Sequence, residues 1–191
     1  ALSLTAGCTV WLKLEALQPS GSFKLRGIGH ACEVYRARGA QRFVSSSGGN
    51  AGLAVAYAGR ALGVPVTVVV PETTSARAVE LLKQEHAAVV VVGSSWQEAN
   101  QYARGLLREG DAFIHPFDDP FLWTGHASMI DEVARPGVNP DAVVPPVGGG
   151  GLLCAVVERL ARAGCQPLPV VVAFNEGAAP RPVALSPRRL S

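Results

Sequence analysis

Short apolar runs alternate with amphipathic stretches along most of the chain. Val66-Thr67-Val68-Val69-Val70 and Ala88-Val89-Val90-Val91-Val92 are nearly unbroken β-branched runs, the pattern of parallel strands covered on both faces. Thr9-Val10-Trp11-Leu12-Lys13-Leu14-Glu15 instead alternates apolar with polar positions, which reads as a half-buried strand. The pattern predicts strands near 9–15, 42–46, 65–70, 87–92, 112–114, 141–147 and 169–173. It predicts helices near 22–38, 50–63, 75–85, 96–109, 120–134 and 151–163. Strands that alternate with helices place the chain in the α/β class.

Two of the strand-to-helix junctions are rich in glycine. Ser45-Ser46-Ser47-Gly48-Gly49-Asn50-Ala51-Gly52 follows the strand at 42–46, and Gly148-Gly149-Gly150-Gly151 follows the strand at 141–147. Each leads into an apolar helix start, where unpaired backbone N–H groups and the helix dipole suit a phosphate or carboxylate. Neither has Walker or dinucleotide-fingerprint spacing, and a glycine run taken alone is equally a flexible turn.

The chain has only three lysines, Lys13, Lys24 and Lys83. Lys13 lies in the alternating run and Lys83 closes a helical stretch, so both read as solvated. Lys24 sits in Pro19-Ser20-Gly21-Ser22-Phe23-Lys24-Leu25-Arg26-Gly27, a turn that hands over to a helix with an aromatic ring beside it. The field at a helix N-terminus disfavours an ammonium and lowers its pKa, and a neutral amine forms Schiff bases. An amine with two anion cradles suits a phosphate-bearing ligand and an amino acid carboxylate.

These motifs, with His115-Pro116-Phe117-Asp118-Asp119-Pro120, Gly125-His126-Ala127-Ser128 and Gly148 to Cys154, resemble the serine/threonine dehydratases. These are pyridoxal-phosphate enzymes of the tryptophan synthase β-like fold, also termed fold type II, and the chain is most similar to the animal L-serine dehydratase and serine dehydratase-like branch. The resemblance runs in unbroken order from about Ala1 to about Gly177. It implies two α/β lobes built on open, parallel, twisted sheets, with the cofactor between them. Residues 30–118 would form the small lobe, and 1–29 with 119–177 an incomplete large lobe.

By the same resemblance Lys24 holds the cofactor covalently and Phe23 lies against its ring. Gly148, Gly149, Gly150 and Gly151 receive the phosphate, and Asn50 reaches the phenolic oxygen. Ser47, Gly48, Gly49 and Asn50 hold the substrate carboxylate. Lys24 then takes the α-proton, the β-hydroxyl leaves, and serine gives pyruvate, or threonine 2-oxobutanoate, with ammonia. Serine racemases of this fold carry a serine two residues before the asparagine, as acid and base on the far face of the substrate. Gly48 stands there in this chain and has no proton to give, which implies elimination. Serine dehydratases more often carry alanine at that position, so Gly48 points to the serine dehydratase-like branch.

Other features narrow the picture. A net charge of +2 gives no nucleic-acid footprint. Cys8, Cys32, Cys154 and Cys165 show no metal or disulfide spacing and read as reduced thiols in a cytoplasmic protein, with no metal site among them. No membrane span or signal peptide is read. Asp118 and Asp119, ahead of a proline, read as helix caps. His126, Trp96 and Trp123 read as packed residues, and Glu176 stands about one residue out of register with the family's acidic cation ligand and is not assigned that role. The expected partners are an amino acid and a second copy of the chain in a homodimer.

After Gly177 the family pattern stops in a stretch, 178–191, with three prolines and three arginines, which reads as disordered. The chain is therefore expected to be a truncated form. The alternatives to a working ammonia-lyase are a catalytically inactive variant and another enzyme of the fold, such as a cysteine synthase-like one.

Overall fold

The structure, a computed structural model, describes residues 1–133, 140–162 and 168–174. Glu176, Cys165 and the 178–191 stretch lie outside them. Four parallel strands, β1 (Arg42–Ser45), β2 (Val66–Val70), β3 (Ala88–Val91) and β4 (Asp111–Phe113), form one sheet in the order β3-β2-β1-β4. The helices are α1 (Leu2–Ala6), α2 (Lys24–Ala37), α3 (Asn50–Leu62), α4 (Ala76–Gln84), α5 (Trp96–Gly105), α6 (Pro120–Val133) and α7 (Gly151–Arg162). Six of the seven lie where the hydrophobic pattern predicts them. The seventh, α1, has no buried residue to signal it.

The pleat of β2 divides two layers of core. Val66, Val68 and Val70 pack with Phe43, Ile28, Val55 and Leu122 in one cluster, whereas Val69 joins Val44, Ala99 and Ala103 of α5 in another. So β2 is covered on both faces, as its composition requires. The second β-branched run is not: β3 lies at the sheet edge and leaves Ala88 and Val91 exposed.

Helices α2 and α6 cross with their backbones in contact. A Cβ on Gly27 would stand 2.4 Å from the Leu122 carbonyl oxygen, and one on Gly125 would stand 2.4 Å from that of Arg26. Arg26 ties the crossing to the segment before it, donating to Glu15 Oε2 (2.7 Å), Glu132 Oε1 (2.8 Å) and Ser128 Oγ (3.1 Å).

Three expectations are corrected. Residues 9–15 form no strand; Trp11, Leu12 and Leu14 are exposed, because alternation makes a strand only where a sheet edge accepts it. Residues 141–147 and 169–173 make only two parallel bridges, Val143 with Val170 and Pro146 with Ala173. Pro145 and Pro146 have no N–H to donate to a ladder. Trp96, expected in the core, is 37% exposed at the first turn of α5. Trp123 does pack against the core, and its indole N–H donates to the Phe117 carbonyl at 3.0 Å.

Candidate active site

In the order β3-β2-β1-β4 the chain leaves β1 toward β2 on one side and returns as β4 on the other. The carboxyl ends of β1 and β4 therefore flank the point where the winding reverses, the place where open α/β sheets bind ligands. The loop after β1 spans 46–49, with Asn50 opening α3, and the loop after β4 spans 114–119.

The loop after β4 is firmly held. His115 Nδ1 accepts from the N–H groups of Phe117 (3.3 Å) and Asp118 (2.8 Å), which requires a neutral imidazole; burial lowers its pKa. Asp119 Oδ1 accepts from the Phe121 N–H (2.8 Å) and Oδ2 from the Tyr35 hydroxyl (2.8 Å), so Asp119 caps α6 ahead of Pro120. Among the described residues no group of three or more His, Cys, Asp or Glu side chains could hold a metal ion.

Lys24 is the first residue of α2, and its Nζ donates to the Pro116 carbonyl at 2.5 Å. The amine is partly buried, and that burial lowers its pKa from the ordinary lysine value. Phe23 precedes it, with its ring centroid 5.0 Å from that of His126 and 5.3 Å from Lys24 Nζ. His126, packed as expected at 1% exposure, accepts the Gly27 N–H on Nδ1 at 3.1 Å.

The glycine run reaches the same place from the other side. A Cβ on Gly149 would stand 2.5 Å from Phe117 Cγ, and one on Gly151 would stand 2.5 Å from the Phe117 carbonyl oxygen. Gly150 has φ +85, a conformation that favours glycine, and a Cβ on Gly148 would meet nothing within 4 Å. Lys24, Pro116-Phe117 and Gly149–Gly151 thus form one chain of contacts at the start of α7.

The loop after β1 arrives beside them through strand pairing, since Val44 pairs with Phe113 and the Ile114 N–H donates to the Val44 carbonyl. No hydrogen bond joins Asn50 or Ser47 to Lys24. Ser47 Oγ accepts the Gly49 N–H at 3.3 Å, and Ser46 Oγ donates to Asn100 Oδ1 at 2.9 Å. A Cβ on Gly52 would stand 1.7 Å from the Ser47 carbonyl oxygen, so the loop folds back over α3 only with glycine there. Gly49 begins α3 with no side-chain cap, which leaves first-turn N–H groups for an external acceptor.

Three serine hydroxyls around these loops were not singled out from the sequence. Ser20, Ser22 and Ser45 bury Oγ without a protein partner, as His126 does Nε2. Serines in a turn give no signal of burial, so only the packed structure shows them.

A family model described as pyridoxal-phosphate dependent enzyme matches residues 1–189. The L-serine dehydratase/L-threonine deaminase of Bos taurus is 49% identical over 180 residues, which cover 93% of this chain and 55% of the relative. A serine dehydratase-like protein of Homo sapiens is 49% identical with the same coverage. The crystal structure of a fungal L-serine ammonia-lyase from Rhizomucor miehei superposes with TM-score 0.85 at 37% identity, over 92% of this chain and 57% of that one. The chain thus spans about half the length of these relatives. The match from 1 to 189 and the near-half identity over 93% of the chain mean that this chain belongs to the pyridoxal-phosphate dependent enzymes, with the tryptophan synthase β-like fold.

Proposed function

We propose that the chain carries the lysine and cofactor cradle of an L-serine/L-threonine ammonia-lyase, which forms pyruvate or 2-oxobutanoate with release of ammonia. The observation that carries this reading is the Lys24 amine, shifted toward its neutral form by burial and set against the Pro116 carbonyl beside the glycine run. The names of the relatives support the substrate class.

The residues present fit pyridoxal phosphate. Gly149 and Gly151 press so closely on Phe117 that only a bare backbone fits there. Gly148, Gly149, Gly150 and Gly151 would offer main-chain N–H groups to the phosphate at the positive end of α7. Phe23 would lie against the ring and Asn50 would meet the phenolic oxygen. When bound, the cofactor supplies an electron sink for charge that develops at the substrate Cα.

The protein's own groups do the rest. Ser47, Gly48, Gly49 and Asn50 would orient the substrate carboxylate on the uncapped first turn of α3. Lys24, which burial shifts toward the free amine, would take the α-proton. Gly48 has no proton to deliver to the opposite face, so loss of the β-hydroxyl outruns return of the proton with inverted configuration. On this reading the sheet region, 30–118, is the small lobe, and 1–29 with 119–177 belongs to the large one. A cytoplasmic setting, which suits the unbridged Cys8, Cys32 and Cys154, and a homodimer are part of the proposal. No helix of the described residues is long and apolar enough to cross a membrane.

Borohydride reduction after addition of pyridoxal phosphate, followed by peptide mapping, is expected to place the label on Lys24. Label on Lys13 or Lys83 would sink the assignment. Lys24→Ala is expected to lower pyruvate formation from L-serine by about 10²-fold or more. The rate of cofactor capture should rise with pH and level off below the ordinary lysine pKa of 10.5, because burial lowers that of Lys24.

A further inference from the structure

We propose that Thr74 is a specificity-determining residue, the side chain that reserves position 48 for glycine and so keeps a proton-bearing group off that face of the substrate. The consequence for the reaction rests on the lyase reading above; the pairing of the two residues does not.

Nothing in the backbone demands glycine at 48. Its φ lies outside the left-handed region, and any L-residue could adopt it. The obstacle is a neighbouring loop. A Cβ at 48 would stand 2.7 Å from Thr74 Cγ2, 3.0 Å from Thr74 Oγ1 and 3.2 Å from Val70 Cγ1. The next glycine is a natural control, because a Cβ at 49 would meet only Ser47 Oγ, at 4.0 Å.

Thr74 cannot easily withdraw. Its N–H donates to the Pro71 carbonyl at 3.0 Å, and the next residue, Ser75, caps α4 by accepting the Ala78 N–H at 3.2 Å. Rotation of its side chain does not help either. Threonine has two heavy branches for three staggered positions, and both now face residue 48, so a turn of 120° leaves at least one of them there. Val70, fully buried at the end of β2, closes the same space from below. Among the described hydrogen bonds the Thr74 hydroxyl has no protein partner, so its position is set by packing.

Position 48 lies in the loop proposed to hold the substrate carboxylate, and the space that a side chain there would enter first is the one Thr74 and Val70 fill. A serine at 48 could return a proton to the substrate only if Thr74 gave way. Thr74 therefore fixes the outcome at a residue it never touches through the backbone.

A double-mutant cycle tests this on the 191-residue chain, read as the thermal midpoint without cofactor. Gly48→Ser is expected to lower the midpoint by about 2–10 °C. Thr74→Ala and the control Gly49→Ala should each change it far less. Thr74→Ala placed in the Gly48→Ser background should recover most of the loss, and simple additivity would overturn the pairing. Products from L-serine with pyridoxal phosphate then read the specificity. The D-serine to pyruvate ratio should rise about tenfold or more in the double variant relative to Gly48→Ser alone, and an unchanged ratio would overturn the specificity role. A wild-type chain that forms no pyruvate refutes the lyase reading and the specificity consequence with it, while the midpoint cycle still decides the pairing.

Discussion

The behaviour of His126 follows from its surroundings. Its Nδ1 accepts the Gly27 N–H inside the α2–α6 crossing, so the ring must stay neutral for the crossing to hold. Burial, aided by the Lys24 and Arg26 charges and opposed weakly by Glu15, pushes its pKa from 6.5 down to about 4. The unfolded chain thus takes up this proton at higher pH than the folded one. The stability that the neutral ring contributes is fully present above about pH 6.5 and is lost as pH falls from there through 4, about 3 kcal/mol in all. His115, also lowered by burial, acts in the same direction. Glu132, held at about 2 by the hydrogen bonds from Arg26 and Lys13, is lost only at lower pH. His126→Asn, which offers an oxygen near the Nδ1 position, is expected to flatten the fall in thermal midpoint between pH 6.5 and 4. Equal slopes in the two proteins would assign that fall elsewhere.

Lys24 stood out as a candidate in the sequence because a rare residue stood in an unusual setting. Thr74 was not, since its meeting with Gly48 is a contact between two loops that neither loop announces. The same holds for the lysine's pKa. Sequence supplied the helix terminus as the reason for a low value, whereas the structure adds burial at Pro116.

At the scale of elements, the α2–α6 crossing sets where the lysine stands. Gly27 and Gly125 let the two backbones touch, and α6 is in turn anchored at Asp119 and through Trp123 to Phe117, on which the glycine run rests. Gly125→Ala is expected to destabilise the chain by about 1–3 kcal/mol, because its Cβ would meet the Arg26 carbonyl and the Gly27 Cα rather than a movable side chain. Urea unfolding measures the loss. In the same variant the rate of Lys24 labelling by pyridoxal phosphate should change, since α2 must shift to admit the methyl group. A variant as stable as the parent would show that the crossing has room that the geometry denies.

Six of the described helices were legible from their apolar pattern, α4 and α5 also from the capping serines Ser75 and Ser95, whereas α1, which buries nothing, was not. Strands were legible only where the sheet completes them. The alternation at 9–15 has no sheet neighbour to pair with among the described residues, and the run at 141–147 has Pro145 between Val143 and Val147, where the ladder to 169–173 needs a donor.

At the scale of the molecule the proposed site draws on segments that are unequally packed. On one side is the four-stranded sheet, with Val44, Val68, Val69 and Val70 fully buried between helices. On the other is the pair of bridges at Val143–Val170 and Pro146–Ala173, whose neighbours Val144, Val171 and Phe174 are 62%, 54% and 48% exposed. The glycine run leaves this thinner side and leads into α7, while Asn50 begins α3, which packs on the sheet, and Lys24 begins α2, which packs on both α3 and α6. Local opening should follow that asymmetry, because few buried contacts mean a low cost of opening. Native-state hydrogen exchange is expected to show the Val68 and Val69 amides among the slowest and those of Val143, Val171 and Ala173 exchanging well before them. Pyridoxal phosphate bound through Lys24 and the glycine run would tie the bridged segment to α2, so its addition should slow exchange in the first turn of α7 and at Val143 and Val171 more than in β2. Equal protection of both sides before the cofactor is added would mean that the bridged segment is as firmly held as the sheet, and that the asymmetry in burial does not govern how the site opens.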